Sequence, residues 1–170
     1  HALTGIQGRG TEESKSNDVT NRVGPGEVGV AIELGRPTLG MDLTNIQKVT
    51  RAMARAGITD IEPENPFIDM IQNRESGDLK PELMGERVLS AIMEFKVKRS
   101  QLGHVLRTIR EVAKEVDSVF VVDVYTRLGP GLTIPQEVIQ TIEAEGFSWR
   151  PNAKINMGLG RAIETVRRKA

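Results

Sequence analysis

The chain of 170 residues contains no cysteine and only two histidines. Without thiols it cannot form disulfide bonds, use a cysteine nucleophile, or hold cysteine-ligated zinc and iron–sulfur centres. Two imidazoles are too few for a three-histidine metal centre. Carboxylates alone can bind magnesium or calcium, but no spacing in the sequence marks such a site. We therefore expect no metal site, and no pattern identifies a cofactor.

Aromatic residues, net charge and long apolar runs are also scarce. Aromatics make up 4% of the chain, and 23 basic residues balance 23 acidic ones, for a formal net charge of zero. A neutral chain has no overall field that would draw it to nucleic acid or to an anionic membrane. No apolar run reaches the roughly 20 residues that cross a bilayer, so we expect no membrane contact. The lack of cysteine fits a cytoplasmic location.

The domain organisation follows from length and local composition. Residues 1–21 are polar and lack a periodic apolar face, which predicts a flexible arm. Residues 22–170 are predicted to form a single domain, because 38% hydrophobic content in a chain of this size suits one core.

Apolar periodicity predicts strands alternating with helices. Residues 28–34 alternate large and small side chains, which predicts a strand with one large-residue face. A helix is predicted from Asp42, as N-cap, to Gly57. Further helices are predicted over 65–77, over 81–95 from the apolar stripe that runs from Met84 to Phe95, over 102–116, over 135–145 and over 161–170.

Two more strands are predicted in the second half of the chain. Residues 119–122 are apolar without alternation, which predicts a central strand buried on both faces. Residues 147–157 also have strand character. The fold class is therefore predicted as α/β, or α+β, with a small three- to four-stranded sheet layered with about five helices. Because so small a sheet is short of partners, we expect a homo-oligomer.

One loop motif occurs twice, as Arg22-Val23-Gly24-Pro25-Gly26 and as Arg127-Leu128-Gly129-Pro130-Gly131. Three glycine-containing loops lead from a predicted strand into a predicted helix, and each contains one arginine. Helix N-termini and glycine-rich backbone favour anions, and arginine adds a bidentate grip. The candidate ligand-binding residues are Asp123, Arg127, Gly129, Gly131, Thr133, Arg22, Gly24, Gly26, Arg36, Gly158, Gly160 and Arg161.

The loop after Tyr125 is the best of these candidates. It follows the most apolar strand, in which Asp123 is placed to orient Arg127, and Thr133 is spaced to cap the next helix. The simpler explanation is that Gly and Pro only make the turns, and the sequence leaves both interpretations open.

The function that this pattern favours is that of a soluble binding or accessory protein for an anionic small molecule or a protein partner. One alternative is an enzyme for a phosphorylated or carboxylated metabolite, with Asp123 or Glu137 as general base. Glu33 could join these two residues in a carboxylate cluster, but we expect it to face solvent. A third alternative is weak nucleic-acid binding through a basic helix face, which scarce aromatics and interrupting glutamates disfavour. That face comprises Lys96, Lys98, Arg99, Arg107 and Arg110.

Overall fold

The fold is built around one strand that pairs on both sides, as seen in the computed structural model, which describes residues 22–36 and 39–149. In chain order its elements are β1 Glu27–Leu34, β2 Met41–Asp42, α1 Leu43–Arg55, β3 Ile71–Asn73, β4 Asp78–Leu79, β5 Arg87–Val88, β6 Ala91–Lys98, α2 Leu102–Ala113, β7 Phe120–Tyr125 and α3 Gln136–Ala144. Short 3-10 helices span Pro66–Met70, Pro81–Leu83, Arg99–Gln101 and Pro130–Leu132.

The main sheet has three strands in the order β6-β1-β7. Both neighbours run antiparallel to β1, with Val30 opposite Phe95 on one side and opposite Val124 on the other. Consequently β6 and β7 run parallel to each other across β1, and α2 connects them as a split β-α-β unit. Two small two-stranded sheets, β2-β5 and β3-β4, lie outside this unit.

The core lies on the face of the sheet that carries the large residues of β1. Val28, Val30, Ile32 and Leu34 are fully buried there and pack with the apolar stripes of α1 and α2. The predicted strand over 28–34 and helix over 43–57 are confirmed. Asp42 caps α1 by accepting a hydrogen bond of 2.9 Å from the backbone of Asn45.

The mixture of helices and antiparallel strands makes this an α+β fold, which confirms the coarser part of the predicted fold class. The predicted numbers were wrong, since the described ranges contain three α-helices and seven strands, four of which are only two or three residues long and form the two small sheets. An antiparallel sheet also has no common carboxyl edge. The rule that ligands bind beyond the carboxyl ends of parallel strands therefore does not apply.

The predicted helices over 65–77 and 81–95 were wrong. Only single 3-10 turns form at Pro66–Met70 and Pro81–Leu83, and Gly85 then adopts a φ of 98° that a helix does not tolerate. The end of the predicted apolar stripe belongs to β6. The apolar pattern of β6 fits both the helical and the strand period, because Ile92 is apolar although it lies on the polar face of the strand. Pairing with β1 decides between the two periods, which local sequence cannot do.

The prediction that the strand after residue 119 is central and buried on both faces was also wrong. Among the described strands β7 pairs only with β1, and its burial alternates, so that Val121 is 39% exposed. The central strand is β1 instead. Its second face carries Gly29, Ala31 and Glu33, and Glu33 is buried at 7% exposure rather than facing solvent.

Several predictions fall on residues that the structure does not describe. The flexible arm over 1–21, most of the strand over 147–157 and the helix over 161–170 lie outside the described residues. The single-domain assignment stays a prediction. Within the described ranges, no helix combines the length and the apolar character needed to cross a bilayer.

Replacing Phe95 by alanine tests the pairing that overrides helical periodicity. Phe95 is completely buried between β1 and the bridge to Ile61, so its loss should lower the free energy of unfolding by about 3–5 kcal/mol. The exposed Lys98→Ala on the same strand should change it by no more than about 0.5 kcal/mol. Chemical denaturation measures both, and a small effect of Phe95→Ala would contradict the complete burial of Phe95 beside β1.

Candidate functional site

The two Gly-Pro-Gly loops lie at the same end of the main sheet. The register places Gly29 opposite Tyr125, so the loop before β1 adjoins the loop after β7. Thr126 also approaches the Glu27 carbonyl at 3.5 Å. We call this region the Gly-Pro-Gly end; it comprises residues 24–27, 98–99 and 126–133. The motif that the sequence presents as two separate copies thus forms one neighbourhood within a single chain.

The first loop already holds an internal carboxylate. The Gly24 N–H donates a hydrogen bond of 2.8 Å to Glu27 Oε2, and Lys96 Nζ approaches the same oxygen at 3.0 Å. Gly26 closes the turn with a φ of 78°. Burial opposes the effect, but these hydrogen bonds and the charges of Lys96 and Arg22 hold the pKa of Glu27 below its usual value. The loop therefore has the anion-binding chemistry expected of it, with Glu27 as the anion.

The second loop is folded back on itself. The Gly129 N–H donates 2.8 Å to the Thr133 carbonyl, and Gly131 adopts a φ of 69°. The Thr133 hydroxyl donates to the Pro130 carbonyl at 3.0 Å, so Thr133 does not cap α3 as predicted; Pro135 occupies the N-cap position. The proline ring there fixes the start of the helix without a side-chain cap.

Arg99 joins the two loops. Its backbone N–H donates 3.0 Å to the Gly26 carbonyl, and its Nη2 approaches Thr126 Oγ1 at 3.3 Å. Its Nη1 also forms an ion pair of 2.5 Å with Glu137 on α3. In the described part of the chain, the buried Nε–H of Arg99 has no acceptor. A buried donor without a partner is costly, which makes this guanidinium the incomplete group of the Gly-Pro-Gly end.

A second group of polar residues lies on the face of the sheet turned away from the core. Arg36 Nη1 contacts both carboxylate oxygens of Glu33 at 2.9 Å, and its Nε donates 3.0 Å to the Ser90 hydroxyl. The predicted anion grip of Arg36 is thus used for a neighbouring glutamate. Asp123 lies opposite Ala31 on the same face and hydrogen-bonds to Glu33. The structure therefore places Asp123 beside Glu33 and Arg36, and its role in orienting Arg127 stays a prediction.

A hydrogen bond between Glu33 and Asp123 needs a proton on one of them, because two ionised carboxylates have no hydrogen to donate. Although Asp123 as a residue is exposed, loss of water around its carboxyl group raises its pKa. This effect outweighs the hydrogen bond to Glu33 and the charge of Arg36, which act to lower the pKa.

Glu94 is the centre of a third group, further along the same face. It is 4% exposed and accepts a hydrogen bond of 2.5 Å from the Tyr125 hydroxyl. Next to it, Arg22 from the first Gly-Pro-Gly motif pairs with Glu62 at 2.6 Å. Burial raises the pKa of Glu94, and Glu62 adds to this, whereas Tyr125, Asn65 and Arg22 act against it. Burial also raises the pKa of Tyr125, which therefore remains a hydrogen-bond donor.

Gly29 is what allows Tyr125 to reach Glu94. A Cβ added at Gly29 would lie 2.1 Å from the Tyr125 ring, so the ring rests directly on the backbone of β1. The small residues on this face of β1 admit a close neighbour, and that neighbour is a side chain of the adjacent strand.

Other candidates stay untested or have no structural support here. Gly158, Gly160 and Arg161 lie outside the described residues. Among the described residues, no group of three histidine, aspartate or glutamate side chains is arranged to hold a metal ion. The basic residues do not form one helix face, because Lys96 and Lys98 belong to β6 while Arg107 and Arg110 belong to α2 and contact Glu145.

The sequence analysis missed the roles of Arg99, Glu94 and Tyr125. Arg99 was assigned to a solvated helix face because β6 had been interpreted as a helix. Glu94 lies between Ile92 and Lys96 on one face of β6 and is paired with Ala31. Its position on the polar face of the sheet can be predicted only if β6 is recognised as a strand.

Comparison with known proteins adds nothing to this geometry. Protein-family models, curated proteins and solved structures were all compared with the chain, and none of them matches it. The function is therefore argued from the Gly-Pro-Gly end and from the polar face of the sheet.

Gly29→Ala should destabilise the protein by about 1–3 kcal/mol, because the new methyl group overlaps the Tyr125 ring. The same substitution in a Tyr125→Ala background should cost much less, and this double-mutant cycle isolates the contact. Gly129→Ala is the matched control, since its Cβ would meet Thr133 Oγ1 at an ordinary 3.4 Å. Equal costs of Gly29→Ala in both backgrounds, measured by denaturation, would refute the close approach.

The stability of Glu94→Gln, relative to that of the unmodified chain, should increase as pH rises. Because burial raises the pKa of folded Glu94 above its ordinary value of 4.5, its contribution to stability is present below that value. This contribution is lost as pH rises through the folded pKa. The free energy of unfolding of Glu94→Gln, relative to the unmodified chain, should therefore increase between about pH 4 and about pH 7.

Glu111→Gln serves as the control for this pH dependence. A hydrogen bond from Lys114 lowers the pKa of Glu111, so its contribution appears above its ordinary pKa and is lost as pH falls. The relative stability of Glu111→Gln should therefore rise as pH falls below 4.5 and stay nearly constant between there and about pH 7. A parallel trend for both variants would show that burial of Glu94 is not the cause.

Proposed function

We propose that the protein binds an anionic ligand, carrying phosphate or carboxylate groups, at the Gly-Pro-Gly end of the sheet. The observation that carries this proposal is the convergence of both loops on Arg99, whose buried Nε–H lacks an acceptor in the described part of the chain. A phosphate or carboxylate binds arginine in a fork, through two N–H groups at once. Arg99 at present uses its Nη1 and Nη2 on two different neighbours, which leaves that fork geometry unused.

The charge balance at this end supports an anion. Three cations of this end and the adjoining Lys96 outnumber its one carboxylate and the adjoining Glu137 by four to two, and both carboxylates make ion pairs. The cations are Lys96, Lys98, Arg99 and Arg127; the carboxylates are Glu27 and Glu137. An incoming anion would therefore meet a positive potential at short range, even though the whole chain is neutral.

Glu137 occupies the position that the ligand would take. Its side chain is 61% exposed, and an exposed ion pair of this kind contributes between about 0 and 1 kcal/mol. Such a contact is easily exchanged for a bidentate anion, with Glu137 moving into solvent. Glu137 thus acts as a weak internal competitor of the ligand. Glu27 competes more strongly in the first loop, because both the Gly24 N–H and Lys96 contact its carboxylate.

Thermal shift with inorganic pyrophosphate, ATP and citrate tests the proposal. A ligand at about a hundredfold excess over its Kd should stabilise the chain by about 2.7 kcal/mol, and Arg99→Ala should abolish this stabilisation. Glu137→Gln should bind more tightly, because it removes the internal competitor.

The matched control is Arg107→Ala. Arg107 also links α2 to α3 through a glutamate, Glu145, but lies away from both loops. It should therefore keep the ligand response. Absence of any response in the unmodified chain, or an equal response in Arg99→Ala, would reject the Gly-Pro-Gly end as the site.

An enzymatic function is supported by one feature, the raised pKa of Asp123, which lies beside Glu33 and Arg36. A carboxyl group with a raised pKa is suited to general acid or base chemistry. Of the two bases that the sequence suggested, Asp123 keeps this character, whereas Glu137 is engaged with Arg99. Binding at the Gly-Pro-Gly end remains the better-supported proposal, because two loops and an incomplete donor converge there.

A further inference from the structure

The helix α3 packs only thinly against the rest of the protein. Within Gln136–Ala144, all of which the structure describes, Val138 is the one buried residue, whereas α1 buries eight residues and α2 five. Ile142 and the following Phe147 are partly buried and pack against the core. Elements with few buried apolar contacts open locally before a protein unfolds as a whole. Among the described helices, α3 is therefore the one that apolar packing holds least.

Ion pairs with α2 supplement this thin packing. Arg99, in the 3-10 turn that leads into α2, pairs with Glu137 at 2.5 Å, and Arg107 pairs with Glu145. Each arginine precedes its glutamate by 38 residues, so the two helices run side by side in the same direction. Between the two arginines, a Cβ at Gly103 would lie 2.9 Å from Glu145 Oε1, which shows how closely α3 approaches. Charged contacts thus attach α3 to α2 at both of its ends.

The two attachments differ in strength. At the start of α3 the Glu137 side chain is 61% exposed, whereas at the end of the helix the Glu145 side chain is only 13% exposed. Arg110 also donates a hydrogen bond of 2.6 Å to the Glu145 carbonyl. Because exposed ion pairs contribute least, the contact between Arg99 and Glu137 is the weaker of the two attachments.

The loop that joins β7 to α3 allows the helix to move. Hydrogen bonds from the Gly129 N–H to the Thr133 carbonyl and from the Thr133 hydroxyl to the Pro130 carbonyl lie within the loop. Both can persist when α3 changes its position. Gly131 holds a left-handed φ of 69°, which glycine adopts without strain. Hinges are commonly built from a few such residues at the ends of elements.

We infer that an anion bound at Arg99 releases the start of α3 from α2. This inference rests on the anion binding proposed above. The anion takes the Arg99 Nη1 group that Glu137 now occupies, so α3 loses its weaker attachment and keeps the one at Glu145. Since an exposed ion pair changes an equilibrium by up to about fivefold, the open population of α3 rises by up to that factor. The helix thus converts occupancy of the Gly-Pro-Gly end into exposure of the apolar surface that Val138 covers.

Amide hydrogen exchange of the full chain, followed by NMR, tests the attachment without a ligand. Glu137→Gln should speed the exchange of residues 140–144 between about 1.5-fold and about fivefold. Glu143→Gln is the matched control, because it removes the same charge from the same helix, while Glu143 contacts Trp149 rather than α2. In an Arg99→Met background, which keeps the aliphatic part of the side chain, Glu137→Gln should have no further effect.

Inorganic pyrophosphate tests the release itself. At saturation it should speed the exchange of residues 140–144 by a similar factor in the unmodified chain, but not in Glu137→Gln or Arg99→Met. Exchange of residues 47–55 in α1 should slow or stay constant, because a bound ligand stabilises the folded chain as a whole. Sodium chloride at equal ionic strength is the control for screening of the ion pairs.

The failures of the two proposals are distinguishable. If pyrophosphate gives the Arg99-dependent thermal shift but leaves the exchange of residues 140–144 unchanged, the release is refuted and the anion site stands. If pyrophosphate does not bind, the anion site and the release both fall. Equal acceleration by sodium chloride, or an equal effect of Glu137→Gln in the Arg99→Met background, also overturns the release. Retained protection of residues 47–55 in each variant establishes that the variants are folded.

Discussion

The structure depends on the two-sided character of β1. Its large residues point to the helices and its small or acidic residues point away, so one strand supplies both the core and the polar face. Antiparallel pairing on both sides then gives β6 and β7 the same two faces, one toward the core and one away from it. Because side chains alternate every residue, a slip of one residue in either pairing would bring Glu94 or Asp123 into the core. The cost of burying a charge there fixes the register.

The polar face is stabilised by compensation among its own charges. Glu33 and Glu94 are both buried, and burying an ionised carboxylate without partners costs several kcal/mol. Each is stabilised differently: Glu33 contacts the Arg36 guanidinium, whereas Glu94 accepts a hydrogen bond from the Tyr125 hydroxyl and has a raised pKa. Removing one partner would leave its carboxylate exposed to the full cost of burial. The two groups lie on either side of Ala31, whose small side chain leaves room for them.

The sequence predicted the parts of the fold in which local pattern and tertiary environment agree. Residues 43–57 combine a cap, an apolar stripe and a terminal glycine, and they form the helix expected of them. Residues 91–98 satisfy two periodicities at once, so only their pairing with β1 decides that they are a strand. That error carried over to the site, because it placed Arg99 on the face of a long helix rather than in the short 3-10 turn that follows β6. Arg36, by contrast, was identified as a gripping residue, but its anion belongs to the chain itself.

The two ends of the sheet differ in chemistry because the strands alternate in direction. β1 begins at the Gly-Pro-Gly end, where β6 and β7 finish, so the basic residues at 96–99 and at 127 gather there. At the other end β7 begins with Val119 and Val121, and the turns around Gly35 and Gly40 bring exposed leucines beside them. The two ends of one small sheet therefore differ in character, one being basic and the other apolar. Since β1 spans both ends, any change that ordered one end would act on the strand to which the other end is attached.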